Sequence, residues 1–332
     1  MILVTGGTGT VGAHLIWHLL QNNERVSAIK RNLGYADCLK IVFEFYSNKS
    51  EEYLNRVDWV DGDVLSLESL KAAFEGMDYI YHCAAIVSLG KSDNSMLLTN
   101  AGGTGNVVNA ALACKVKKLC FVSSIAALSD DTNNGPIDES TLIEPGKPVS
   151  TYSQSKLLAE LEIQKGIRMG LNAVIVNPGV ILGISAKMTG SGELFKRVKK
   201  GLPFYTSGKT AYVDVRDVCR AMILLMNSDI TGERFVLVGE NCANKNVLRW
   251  MADGYHQCRP FIGFGKSLIL VAGILEIIGK IAGFTPLIDR PLARTSIGRK
   301  EYSSRKFLSM FDFTFTPIRE CVQKICEFDR KR

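Results

Sequence analysis

Met1-Ile-Leu-Val-Thr-Gly-Gly-Thr-Gly-Thr-Val-Gly12 decides the fold. Four apolar or β-favouring residues run straight into a turn carrying Gly6, Gly7, Gly9 and Gly12, and a helical pattern follows with Leu15, Leu19 and Leu20 on one face. A glycine turn between a strand and a helix lets the backbone approach a pyrophosphate closely. The helix start then offers unpaired N–H groups and a partial positive charge, including those of Thr10 and Val11. The stretch therefore predicts the first βα unit of a doubly wound α/β sheet that binds a dinucleotide.

The rest of the first half repeats the unit. Strands are expected at 25–30, 57–60, 79–83, 118–122 and 173–176. Helices are expected at 67–74 after the capping residue Ser66, at 100–113 and at 152–169. The segment 35–50 reads either way; as a helix it would carry Leu39, Val42, Phe43 and Tyr46. Repeated strand–helix–strand units imply parallel strands joined by right-handed crossovers. After Asn177-Pro-Gly179 the rhythm changes. A Gly/Ser-rich loop is expected at 183–191, a helix at 194–200, a helix running out of 212–218 to Met226, a strand at 234–238 and mostly helix from Cys242 onward. The division expected is a Rossmann domain over 1–176, with 212–238 partly returning to it, and a smaller, mostly helical substrate lobe from 177–211 and 239–332.

Dinucleotide folds that prefer NAD place an acid about 20 residues past the glycines. Here the second strand ends Ser27-Ala-Ile-Lys-Arg-Asn32, with Lys30 about where the acid would stand and Arg31 after it. Two cations there suit a ribose 2′-phosphate, which favours NADP, with NAD the alternative. Asp63, followed by Val64, can meet the adenine edge or only cap the next turn.

Phe121-Val-Ser-Ser-Ile125 brings a serine to the carboxyl end of a parallel strand, where such sheets bind ligands. Ser124 is the first candidate to hydrogen-bond a carbonyl oxygen and Ser123 the second. Tyr152 and Lys156, four apart in Thr151-Tyr-Ser-Gln-Ser-Lys156, share one helical face. A phenol whose pKa is drawn down from about 10 by a fixed ammonium is a useful acid–base group beside a redox cofactor.

These segments resemble an extended short-chain dehydrogenase/reductase of the NAD(P)-dependent epimerase/dehydratase superfamily. The matching stretches are 5–12, Asp63-Val64, His82-Cys-Ala-Ala85, 100–108, Ser123-Ser-Ile125, 152–156, Asn177-Pro-Gly179 and 213–218. The resemblance implies Ser124, Tyr152 and Lys156 as the catalytic triad and Gly6, Gly9 and Gly12 at the pyrophosphate. It also implies Ala84, Ala85, Pro178 and Gly179 along the cofactor, with Asn100 beside the site in a supporting role. Lys156 would also hold the nicotinamide ribose. The ending Val26-Ser-Ala-Ile-Lys-Arg31 is similar to the dihydroflavonol 4-reductase branch, which uses NADP through an Arg in Arg31's place. The Ser-Ser-Ile context is similar to 3β-hydroxysteroid dehydrogenases, which use NAD, so Lys30 and Arg31 depart from them. Sugar dehydratases of this superfamily carry an Asp-Glu pair beside the catalytic Tyr region. Here Ile125-Ala-Ala-Leu128 lacks acids, and Asp130 and Asp131 do not restore the pattern.

The expectation is an oxidoreductase moving hydride between a nicotinamide and a ketone, aldehyde or secondary alcohol. The alternatives are an NAD-dependent nucleotide-sugar epimerase and a non-catalytic cofactor-binding sensor. The resemblance further implies a homodimer through 100–113 and 152–169.

The net charge of +7 is spread along the chain in short clusters, and no basic run is interleaved with aromatics, so nucleic acid is not an expected partner. Nine cysteines without a Cys-x-x-Cys read as free thiols in a reducing compartment, hence a cytoplasmic location. Segment 267–284 is apolar but is interrupted by Glu276 and Lys280, too short and charged for a span. It reads as a packed helix of the small lobe, with a peripheral apolar helix as the alternative. His14 and His18 share a helix face without a third ligand, so no metal is expected; His82 reads as strand-end packing and His256 is uninformative. Phe204, Tyr205 and Tyr212 read as pocket lining or core.

Overall fold

The computed structural model describes residues 1–31, 35–87, 94–129, 135–141, 143, 149–186, 190–282 and 290–332. Asp130, Asp131 and part of the 183–191 loop lie outside them, as do the side chains of Glu276 and Lys280. Twelve strands are assigned among the described residues: β1 Ile2–Thr5, β2 Val26–Lys30, β3 Val57–Asp61, β4 Tyr79–His82, β5 Lys118–Val122, β6 Ala173–Pro178, β7 Val180–Leu182, β8 Phe204–Thr206, β9 Lys209–Asp214, β10 Arg234–Leu237, β11 Glu240–Ala243 and β12 Ile262–Phe264.

Seven of them form one parallel sheet in the order β10-β6-β5-β4-β1-β2-β3. The order reverses between β1 and β4, and the carboxyl ends that splay apart there open a ligand crevice. The central strands β5 and β6 are buried along their whole length, as a sheet covered by helices on both faces requires. One core lies between the sheet and helices Thr10–Leu20, Tyr35–Tyr46 and Val215–Met226; a second lies under helices Leu67–Phe74, Gly103–Ala113 and Thr151–Arg168.

Within the ambiguous 35–50 segment Tyr35–Tyr46 is a helix, which fully buries Leu39, Val42 and Phe43, and Ser50 starts a separate short helix, Ser50–Leu54. Ser66 caps the following helix by accepting from the Ser69 N–H. The expected 100–113 helix starts with a π-turn, Leu98–Gly102, before the regular helix Gly103–Ala113. The largest departure lies late in the chain. The region expected to be mostly helical carries a three-stranded sheet, β11-β9-β7, and a two-stranded one, β12-β8. Four of these five strands have only three or four residues, too short to show a period of two, so the sequence pattern did not reveal them; β9, with six, runs directly into the helix Val215–Met226.

Candidate active site

The glycine turn is built by contact with its own neighbours. Gly6 has φ +70°, and a Cβ there would sit 2.6 Å from the Ala84 backbone. A Cβ on Gly12 would lie 2.3 Å from the Gly6 carbonyl oxygen. Helix Thr10–Leu20 begins at Gly9 with no side-chain cap and no acid in its first turn. The N–H groups around Thr10 and Val11 thus meet neither a competing oxygen nor a repelling charge, which suits a bound pyrophosphate.

At the switch point a chain of hydrogen bonds ties β1 to β4. Thr5 Oγ1 lies 2.7 Å from His82 Nδ1 and accepts from the Ala84 N–H at 3.3 Å. His82 Nε2 lies 3.0 Å from Thr104 Oγ1, whose hydroxyl donates to the Asn100 carbonyl. The network assigns a neutral imidazole with its proton on Nε2. Burial agrees, holding the His82 pKa down to about 3. Asn100 sits on the π-turn. Its Nδ2 donates to the Ile86 carbonyl and to Ser155 Oγ, both at 3.0 Å, while its Oδ1 accepts from the Ile86 N–H at 2.7 Å. Its amide is spent on the Ala84–Ala85–Ile86 loop and the helix of Tyr152. It supports the site rather than facing a ligand.

Ser124, Tyr152 and Lys156 converge beyond the end of β5. Ser150 caps helix Thr151–Arg168 by accepting from the Ser153 N–H at 3.1 Å. Tyr152 is half-buried and its phenol lies beside the Ser124 side chain, whose oxygen accepts from the Ala126 N–H at 3.1 Å. Lys156 is only 3% exposed; its Nζ donates to the Val122 carbonyl at 2.9 Å and lies 5.2 Å over the Phe121 ring. Burial lowers the Lys156 pKa to about 8, opposed first by the charge of Glu160.

The expected acidification of Tyr152 by Lys156 is not what this structure holds. Burial pushes the phenol up, the Ser124 side chain opposes it, and Lys156 is not among the causes. The physical reason is that the ammonium is turned to the Val122 carbonyl.

Ser123, the second candidate serine, points elsewhere. Its hydroxyl donates to Glu160 Oε1 at 2.5 Å, where Asn177 Nδ2 also donates at 2.5 Å. Arg234 Nη1 reaches Glu160 Oε2 at 3.3 Å, and Asn177 also donates to the Ser124 carbonyl at 3.0 Å. This buried network behind the triad was missed. Glu160 was legible, because it stands four residues after Lys156. Arg234, arriving on β10, was not. Pro178 ends β6 beside this network, and the Gly179 N–H is taken by the Leu237 carbonyl at 3.0 Å.

At the far end of the crevice Lys30, Arg31, Asp61, Gly62, Asp63, Ser66 and Ser69 line an open cavity of about 410 Å³. Lys30 is ion-paired with Asp61 at 3.6 Å, its register partner on β3. The acid absent from the end of β2 thus arrives from the neighbouring strand. Arg31 is exposed and makes no ion pair among the described residues. Asp63 Oδ1 accepts from the Leu65 N–H at 2.9 Å, the turn-capping role anticipated as one option, and Val64 packs in the core.

His14 and His18 both turn to the Tyr46 phenol, at 2.5 and 3.3 Å. Tyr212 is core, its hydroxyl on Asn244 Oδ1 at 2.8 Å; Phe204 is exposed; the Tyr205 ring lies 4.8 Å beneath Lys245 Nζ. All nine cysteines are free, and burial pushes the Cys83 thiol, near Lys156, up to about 12.

With this geometry in place, the comparisons are consistent. The model of the NAD dependent epimerase/dehydratase family matches residues 2–238. A Synechocystis sp. protein, named provisionally as a dihydroflavonol 4-reductase, is 32% identical over 252 residues, 74% of this chain and 69% of that one. Cinnamoyl-CoA reductase 1 of Petunia hybrida is 25% identical over 336 residues, 97% of this chain and 90% of its own. The crystal structure of gox2253 superposes with a TM-score of 0.82 at 27% identity, covering 100% of this chain and 98% of that one.

Proposed function

Because this chain belongs to the NAD dependent epimerase/dehydratase family and is an NAD(P)-dependent enzyme, we propose that it reduces a ketone or aldehyde with NADPH, or runs the same step backward on a secondary alcohol. The observation that carries the reading is the Tyr152 phenol beside the Ser124 side chain at the end of β5, with Lys156 buried one turn along the same helix.

In this reading Gly6, Gly9 and Gly12, with the Thr10 and Val11 N–H groups, hold the pyrophosphate. Arg31 takes the 2′-phosphate, helped by Lys30, which shares itself with Asp61. Asp63 and Val64 border the adenine; Ala84, Ala85, Pro178 and Gly179 border the nicotinamide half. The dinucleotide, when bound, supplies the hydride. Tyr152 gives its proton to the substrate oxygen as charge builds there, and Ser124 donates a hydrogen bond to the same oxygen. A phenol pushed up by burial stays protonated at neutral pH, as a proton donor must. Lys156, cationic below about pH 8, holds the nicotinamide ribose and compensates the phenolate left behind. The dinucleotide unit would comprise 1–176 with 212–238 returning to it, and the substrate lobe 177–211 and 239–332. A homodimer through the helices Gly103–Ala113 and Thr151–Arg168 belongs to the same reading, and a monomeric mass in solution would remove it.

The test follows label. NADPH carrying deuterium at C4 is offered with a panel of ketones and aldehydes. Deuterium on the product carbinol carbon, with one NADPH consumed per turnover, supports the reductase. Cofactor retained through purification and never consumed, with no deuterium on the product because the hydride returned is the one taken from the substrate's own carbon, would make the chain an epimerase instead.

A further inference from the structure

Over its described side chains, 267–275, the late apolar helix Ser267–Ala282 buries one face and exposes another. Leu268 and Ala272 pack on Ala293, with Phe264 and Ile297 alongside. Leu270, Val271 and Ile274, at helical spacing on the other side, face solvent, Leu270 at 72% and Ile274 at 57% exposure. The sequence reading of a simply packed helix is therefore half right.

Further apolar side chains are exposed on the β8-β12 strand pair that precedes the helix. Phe264 touches the Phe204 ring at 5.5 Å between centroids; Phe204 pairs with Ile262; both are exposed, and Phe261 next to them is 72% exposed. Large apolar side chains gathered on one subassembly mark an interaction surface, whereas scattered ones need no explanation.

Charge says what covers it. Residues 259–300 hold seven basic and two acidic residues, a net +5 out of the chain's +7. Lys266 stands just before the helix, Arg294 is on the helix packed against it, and Arg299 follows. All three are exposed, and none makes an ion pair among the described residues. A second copy of this surface would bring like charges together; an anionic bilayer would pair them. No helix among the described residues is long and apolar enough to cross a membrane, so the apolar face can only lie in the plane of one.

We propose that the surface formed by Leu270, Val271, Ile274, Phe261 and Phe204, rimmed by Lys266 and Arg294, docks on the face of an anionic lipid bilayer. Apolar side chains enter the headgroup boundary and the cations meet lipid phosphates and carboxylates. The proposal rests on the surface alone and stands apart from the catalytic reading.

The test is flotation of the full chain with vesicles of phosphatidylcholine containing phosphatidylserine, against vesicles of phosphatidylcholine alone. The protein is expected to float with the mixed vesicles and to be released by salt. Leu270→Glu and Ile274→Glu are each expected to lower partitioning about tenfold or more, since a carboxylate replaces an apolar group that would enter the headgroup boundary. Lys266→Glu and Arg294→Glu are each expected to cost at least about fivefold on the mixed vesicles only. All four positions are exposed, and unchanged dinucleotide affinity verifies that each variant is folded. No flotation at low salt overturns the proposal. So does flotation that Leu270→Glu leaves unchanged, or self-association that Leu270→Glu abolishes in a protein indifferent to vesicles.

Discussion

Replacing Glu160 with Gln should move the alkaline limb of the pH profile toward acid. Glu160 is 4% exposed and accepts from Ser123, Asn177 and Arg234. It stands one helical turn from Lys156, and its charge is the first influence holding that ammonium's pKa up, at about 8, against burial. Side chains at this spacing lie about 6 Å apart, and at an effective dielectric of about 20 two unit charges so placed interact by roughly 2–3 kcal/mol. Arg234, on the other side of the carboxylate, already offsets part of that field, so a fall of about 1–2 pH units is expected. Lys156 is cationic below its pKa, so the fall moves its loss of charge to lower pH. At pH 7.5 a shift of about 1.5 units would cut the cationic fraction, and with it kcat/KM, by about eightfold; at pH 5.5 the cost would nearly vanish. The amide keeps the shape and one acceptor, so folding should suffer by only about 1–3 kcal/mol. The assay is kcat/KM against pH for the variant and the parent. An alkaline limb left in place, with the same loss at every pH, would show Glu160 to be merely structural and would refute the electrostatic reasoning.

Two further outcomes follow from groups away from the triad. Arg31→Ala should weaken NADP(H) binding about tenfold, the effect of one charge-assisted contact, and leave NAD within about twofold. Lys30→Ala should do less, because Asp61 already holds part of that charge; equal losses for both cofactors in a fluorescence titration would contradict the 2′-phosphate assignment. His14 and His82 are buried, and desolvation holds both pKa values at about 3, below the unfolded value of 6.5. The unfolded chain therefore takes up protons first. Their contribution to stability is complete above about pH 6.5 and is lost as pH falls toward 3, by about 2 kcal/mol per histidine at pH 5. Denaturant unfolding at pH 5, 6.5 and 8 should show that fall, and a flat profile would count against it.

What the sequence made legible was what a single segment can encode. The Gly6–Gly12 turn, the Ser66 cap, the buried stripe of Leu39, Val42 and Phe43 and the placement of Tyr152 and Lys156 on one helix all lie within one or two helical turns of chain. What stayed hidden needed two distant segments at once. Asp61 reaches Lys30 only because β3 pairs with β2, and Arg234 reaches Glu160 only because β10 lies beside β6. The direction of the Tyr152 shift was missed for the same reason. Spacing places Lys156 on the correct face, but its hydrogen bond to Val122 across 34 residues decides where the charge sits.

The central claim is tested most directly by Tyr152→Phe, read by two measurements on one preparation, turnover of a carbonyl substrate and NADPH affinity. The phenol's oxygen is removed and its ring kept, so turnover should fall by about 10²–10⁴ while the cofactor binds as before. Turnover within a few-fold of the parent, with the cofactor bound normally, would show that the proton comes from elsewhere and that the account is wrong.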